Sequence, residues 1–193
     1  MERKTTREKF LEESLKLFHK KGFKATTMRD IARQLNIEAA TLYNYVNSKQ
    51  EILDGVLFEI ANKFLDGINH IEQSSYKPLE KIKAFVALNV RLTSENPHKI
   101  GLLVGDWKHL KEPRLTEFLK NRQTYEAKFR AIVREGIESG EMRVMDEEVA
   151  TYAILSSIRW LFSWYTPEKA GINPVELEKQ LIDFILKGIQ NPI

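Results

Sequence analysis

The 193-residue chain contains no cysteine, so it can form neither a disulfide framework nor a thiolate metal site. No apolar run approaches the roughly 20 residues that a membrane-spanning helix needs. The opening MERKTTREKF is charged and lacks the apolar stretch of a secretion signal, so a cytoplasmic protein without membrane attachment is expected. No internal repeat, low-complexity tract or Pro/Gly-rich linker divides the chain, and strand-like alternation of apolar and polar residues is missing throughout. A G-x-S-x-G elbow, a Gly-rich phosphate loop and H-E-x-x-H are missing too. No enzyme activity, catalytic residue or cofactor is therefore expected. What remains is 42% hydrophobic and 30% charged, ordinary for a globular protein, and the expected fold class is all-α.

The charge is unevenly divided. Residues 1–54 hold 11 Lys/Arg against 8 Asp/Glu, whereas the remaining residues hold 19 of each, so the whole formal excess of +3 lies in the N-terminal quarter. A positive excess attracts nucleic acid through counterion release, but an excess this small does not by itself identify a partner. The pattern within residues 22–51, GFKATTMRDIARQLNIEAATLYNYVNSKQE, is more specific. A first helix carrying Phe10, Leu11, Ser14, Leu15, Leu17 and Phe18 ends at Gly22, which can adopt the left-handed conformation that closes a helix. Thr26 offers a side-chain oxygen to cap a second helix of about eight residues, with Met28, Ile31, Ala32 and Leu35 at three- and four-residue spacing. Asn36 sits at the reversal, since Asn tolerates positive φ. Beyond it Ile37, Leu42 and Val46 point inward, leaving Ala39, Ala40, Thr41, Tyr43 and Asn44 on the outer face, and a further helix starts at Ser48. This is a helix-turn-helix, whose second helix fits the major groove of DNA.

The run from Thr26 to Leu57, above all ATLYNYVNSKQEIL, resembles the DNA-binding domain of TetR-family transcriptional regulators, over about the first fifty-five residues. The resemblance implies that Thr27 contacts phosphate, that Ala39, Ala40, Thr41, Tyr43 and Asn44 face bases, and that Tyr45 and Lys49 contact phosphate. Three positions depart from the family pattern: Asn36 replaces the usual turn glycine, Glu38 a small capping residue and Val46 an aromatic. Glu38 is repelled by phosphates unless it caps the helix or accepts from a cytosine amine.

The expected domains are a three-helix DNA-binding domain over residues 1–50 and a helical ligand-binding and dimerisation domain over 51–193. Helix four is expected to run from Ser48 to about Ile71 and to belong to both. Later stripes are Leu79, Ile82, Phe85, Val86, Asn89 and Leu92; then Ile100, Leu103, Val104 and Trp107, opened by Pro97; then Leu115 to Ile137, opened by Pro113 and closed by Gly140. Two last helices are expected, Asp146–Tyr165 and Pro174–Gln190. The final one shows two apolar stripes, Leu177/Leu181/Phe184/Gly188 and Val175/Ile182/Ile185/Ile189, as in a helix covered on two sides. A homodimer interface is therefore expected at Leu181, Phe184, Ile185 and Gly188, with Ala153, Ser156 and Ser157 allowing close approach. Twofold symmetry also suits a palindromic operator.

The TetR resemblance implies the same dimer and an inducer pocket in the middle helices. Residues 159–189, RWLFSWYTPEKAGINPVELEKQLIDFILKGI, are similar to family members that sense acyl-coenzyme A esters. Phe64, Phe85, Asn89, Leu103, Trp107, Tyr125, Phe129 and Trp160 are the candidate pocket residues. Arg159 is expected either to hold a ligand phosphate or carboxylate or to pair with an acid such as Asp106. The expected partners are operator DNA and a small apolar or acyl-type effector, a fatty acid or acyl-CoA among them. A ligand-released repressor, a ligand-dependent activator and a nucleoid-type binder without ligand share this fold. A helical di-iron carboxylate protein is the competing class, since Glu95-x-x-His98 and Asp106-x-x-His109 have a metal-ligand spacing. Pro97, however, takes Glu95 off the helix of His98, and no metal is expected.

Overall fold

The computed structural model describes residues 6–165 and 173–191. The fold is all-α. The helices are α1 (Thr6–Lys21), α2 (Met28–Gln34), α3 (Ala39–Leu42), α4 (Lys49–Gln73), α5 (Pro78–Glu95), α6 (Pro97–Gly105), α7 (Arg114–Glu138), α8 (Glu147–Arg159), α9 (Leu161–Trp164) and α10 (Pro174–Ile189), with a 3-10 turn at Trp107–His109. Among the described residues extended pairing is limited to an isolated antiparallel bridge between Met142 and Gln190. No helix is long and apolar enough to cross a membrane among the described residues.

Backbone chemistry explains the element boundaries. Gly22 has φ 83° and its amide donates to the Phe18 carbonyl at 2.9 Å, closing α1. Asn36 takes φ 54° between α2 and α3, the left-handed conformation that the usual turn glycine would otherwise supply. The cap of α2 is displaced by one residue from the sequence expectation. Thr27 is the N-cap, accepting from the Asp30 amide at 3.1 Å while Asp30 accepts from the Thr27 amide at 2.9 Å, a reciprocal capping box. Thr26 is buried and its hydroxyl turns back to the Gly22 carbonyl at 2.9 Å. α3 is shorter than expected, a single turn, and the chain from Tyr43 to Tyr45 continues as turns.

The molecule divides into two units, and the division differs from the expected cut at residue 50. One unit comprises residues up to Ile60 together with His98–Leu115; the other comprises Ala61–Pro97 and residues from Thr116 onward. Helix α4 supplies residues to both. In the first unit Phe10, Phe18, Phe23, Ile31, Leu42, Leu53 and Leu57 form a buried core in which α1 packs on α2 and α2 on α3. In the second, α10 packs on α5 and α8, and α9 on α5 and α8. The expected helix from Asp146 to Tyr165 is interrupted at Trp160 into α8 and α9.

Helix α10 also corrects the two stripes drawn from sequence. Its buried positions are Leu177, Leu181, Ile185 and Ile189, a single set at four-residue spacing. Leu181 and Ile185 thus face their own unit, whereas Phe184 and Val175 stand 71% and 73% exposed. The apolar residues of α10 look two ways, but not along the lines that the sequence suggested. Part of the segment resembling acyl-CoA sensors, residues 166–172, lies outside the described residues.

Candidate functional site

The first unit holds a helix-turn-helix with one face buried and one presented. Leu42 and Val46 are buried, and the residues before and between them turn outward: Ala40, Thr41, Tyr43, Asn44 and Tyr45 are exposed, and Ala39 is half-buried. Tyr43 is 53% exposed, unusual for so large a side chain without a covering partner. The α3 N-cap is Glu38, which makes no capping hydrogen bond. Its exposed carboxylate is left at the mouth of the recognition helix.

Two residues expected on phosphates are engaged elsewhere in this state. The Thr27 hydroxyl donates to the Asp30 carboxylate at 2.6 Å while accepting from the Asp30 amide. The hydrogen bonds that the Thr27 hydroxyl and the Thr27 amide both donate to the Asp30 carboxylate, with Lys21 at 3.2 Å, hold its pKa down at about 2. Lys49 Nζ is turned inward, onto the carbonyls of Phe23, Lys24 and Thr26. Tyr45 remains exposed.

The second unit gathers an aromatic cluster around one polar pair. Phe85 stacks on Phe129 with ring centroids 3.8 Å apart, Tyr125 lies 5.7 Å from Phe85 and 5.9 Å from Phe64, and Phe162 closes on Phe64 at 6.1 Å. Phe162 was missed by the sequence reading, and its place on the short α9 beside the interruption at Trp160 is the reason. Asn89, buried on α5, donates from Nδ2 to the Phe85 carbonyl at 2.8 Å and to the Tyr125 hydroxyl at 3.1 Å. Burial pushes the Tyr125 phenol well above its ordinary value, offset in part by the Asn89 hydrogen bond.

The other expected pocket residues are not in this cluster. Leu103 and Trp107, both half-buried, belong to the first unit. Trp160 caps the end of α8, is 40% exposed, donates to the Ser157 carbonyl at 2.7 Å and meets Trp164 edge-on at 5.2 Å; Arg159 is exposed beside it. Asp106 has His109 Nε2 at 3.6 Å. Among the described residues no group of three or more His, Asp or Glu side chains is disposed to hold a metal ion, and Glu95 and His98 fall on different helices. On α8 and its C-cap, Val149, Tyr152, Ala153, Ser156 and Trp160 form one exposed stripe at three- and four-residue spacing, with Ser157 half-buried beside it. Gly188 of α10 is exposed as well.

A helix-turn-helix with its recognition face bare, joined in one chain to a separate helical unit with an aromatic interior, defines a one-component DNA-binding regulator. Residues 10–56 match the model of bacterial regulatory proteins of the tetR family, and residues 75–189 match that of the tetracyclin repressor-like C-terminal domain. The chain belongs to the TetR family of transcriptional regulators. Regulators of this family bind operator DNA and small-molecule effectors and act as dimers; they are not enzymes. The HTH-type transcriptional repressor KstR2 of Mycolicibacterium smegmatis is 23% identical over 185 residues, covering 95% of this chain and 90% of its own. The solved structure of the ketosteroid transcriptional regulator KstR2 of Mycobacterium tuberculosis superposes with a TM-score of 0.91 at 22% identity, over 99% of this chain and 98% of that one. AibR, solved in complex with isovaleryl coenzyme A and operator DNA, superposes with a TM-score of 0.78 at 18% identity, over 97% of this chain and 99% of that one.

Proposed function

We propose that the protein is a homodimeric repressor that reads a palindromic operator through Ala39, Ala40, Thr41, Tyr43 and Asn44 and leaves it when an apolar or acyl-type effector binds the second unit. The observation that carries the reading is the bare outer face of α3 and the turn after it, opposite the buried Leu42 and Val46. Asn offers a donor and an acceptor that match adenine N7 and N6, and Ala and Thr methyl groups match the thymine methyl. Tyr45 and Thr27 are the backbone contacts; Thr27 reaches a phosphate only by giving up its hydroxyl bond to Asp30, so its contribution is coupled to the α2 cap. Named relatives support the direction of control, since KstR2 is a repressor.

The effector site in this reading is the cluster of Phe64, Phe85, Asn89, Tyr125, Phe129 and Phe162. Its rings are already in contact, so a ligand has to part them, and only a ligand that prefers the parted state changes the affinity for DNA. Phe64 lies on α4, the helix whose first turn adjoins the helix-turn-helix. The AibR complex, together with the resemblance of residues 159–189, favours an acyl-CoA ester as the first class of effector. The dimer surface in this reading is the exposed stripe of α8, including Ala153, Ser156 and Ser157, with Phe184 and Gly188 of α10. Leu181 and Ile185 support it from beneath. The test is selection of random duplexes by purified protein at a fixed salt concentration, followed by displacement with fatty acids, acyl-CoA esters and polycyclic ketones. A recovered palindrome that one ligand class releases is the expected result; recovery without any release leaves an unliganded DNA binder.

A further inference from the structure

We infer that Lys49 is the positioning residue of the DNA-binding head, a caged ammonium that fixes the start of α4 against the loop between α1 and α2, and is not a phosphate contact. A lysine ammonium has three protons to donate and nothing with which to accept. In this protein all three are spent on backbone: Nζ donates to the carbonyls of Phe23 at 2.8 Å, Lys24 at 3.0 Å and Thr26 at 2.7 Å. The same cation lies 4.7 Å from the centroid of the Phe23 ring. Its pKa is lowered by desolvation, as for a charge withdrawn from solvent.

The three carbonyls are those of the loop that leaves α1 at Gly22 and enters α2 at Thr27. Carbonyls of an irregular loop need partners, and one ammonium satisfies three. The anchorage is extended on either side. Phe23 meets Phe18 edge-on at 5.2 Å and stacks on His109 at 5.6 Å, while Gln50, the residue after Lys49, donates to the His109 carbonyl at 3.0 Å. A phosphate has no fourth proton to take, so it can reach Nζ only by breaking one of the three bonds. The geometry therefore makes Lys49 a keystone: a shift of α4 is delivered through these carbonyls to the residue next to the α2 cap, and from there to α3.

The inference rests on the DNA-binding reading for its consequence, but its central fact is testable in the absence of DNA. In native wild-type protein, acetylation by a water-soluble ester followed by peptide mass spectrometry should show Lys49 reacting at least about tenfold more slowly than the exposed Lys24, a difference that vanishes on denaturation. Equal native rates would overturn the cage, whether or not any operator is found. Lys49→Arg and Lys49→Met then separate the two roles on DNA. A cage built for a tetrahedral ammonium is not restored by a longer planar fork, so both variants should lose operator affinity about tenfold while the slope of log affinity against log salt stays close to wild type. A phosphate contact would instead leave Lys49→Arg near wild type, and Lys49→Met would lower the slope by about 0.9 for each subunit. Either of those results overturns the proposal.

Discussion

In the first unit the side chains proposed to meet DNA, Tyr43, Asn44 and Tyr45, stand in solvent at the end of a helix one turn long; in the second, Phe64, Phe85, Tyr125 and Phe129 are packed against one another. The first surface must exist before its partner arrives, because a duplex is too large to be enclosed. It is therefore held from behind, by a capping box at Thr27 and Asp30, a left-handed Asn36 and the Lys49 cage, all of them polar or backbone devices. The second is a packed aromatic interior, proposed above as the effector site, so its stability is apolar. Mutations in the two regions should accordingly fail in different assays.

The largest effect expected is from Ile185→Asp, which buries an unpaired charge on the inner face of α10 and should cost about 4 kcal/mol or more of folding stability in urea titration. Phe129→Ala follows, at about 3 to 5 kcal/mol for loss of a fully buried ring. Phe184→Asp, one residue before Ile185 but on the outer face, should leave folding of the subunit within about 0.5 kcal/mol of wild type and convert dimer to monomer in sedimentation. If Phe184→Asp and Ile185→Asp behaved alike, the division of α10 into inner and outer faces would be wrong. Asn44→Ala should not change stability, yet should cost about 1 to 3 kcal/mol of operator affinity and relax one base position. The smallest effect is on the α2 cap. Thr27→Ala should cost about 1 kcal/mol. Because the folded Asp30 carboxyl sits at about 2 rather than its ordinary 3.8, its contribution is present above pH 4 and is lost as pH falls from about 4 through 2. A head whose melting did not change over that window would contradict the cap.

Local backbone rules made the first unit readable from sequence. Gly22 and Asn36 mark their turns by residue type, Leu42 and Val46 mark the inner face of α3 by spacing, and the ATLYNYVNSKQEIL run carries a family pattern. The cap was misplaced because Thr26 and Thr27 are chemically equivalent in sequence, and only the fold decides that Thr26 faces the core. The family resemblance implies a phosphate contact for Lys49, and nothing local in the sequence indicates that three loop carbonyls, more than twenty residues away in the chain, converge on it. In the second unit the helices were legible but their faces were not. Apolar residues all round α10 permit several stripes, and only packing on α5 and α8 selects Leu177, Leu181, Ile185 and Ile189 as the buried set. With the break at Trp160, Trp160 and Arg159 are exposed and Phe162 lies beside Phe64 in the aromatic cluster.

What the bare face of α3 binds decides the function. Wild-type protein and Asn44→Ala should be compared on duplexes selected from a random pool, with affinity measured by anisotropy at several salt concentrations. The expected result is a palindrome with half-sites about 34 Å apart, bound by wild type at least about a thousandfold more tightly than random duplex at the same salt, with Asn44→Ala losing affinity for the selected sequence and none for random DNA. Equal affinity of the wild type for selected and random duplexes, or a loss in Asn44→Ala shared by both, would contradict it.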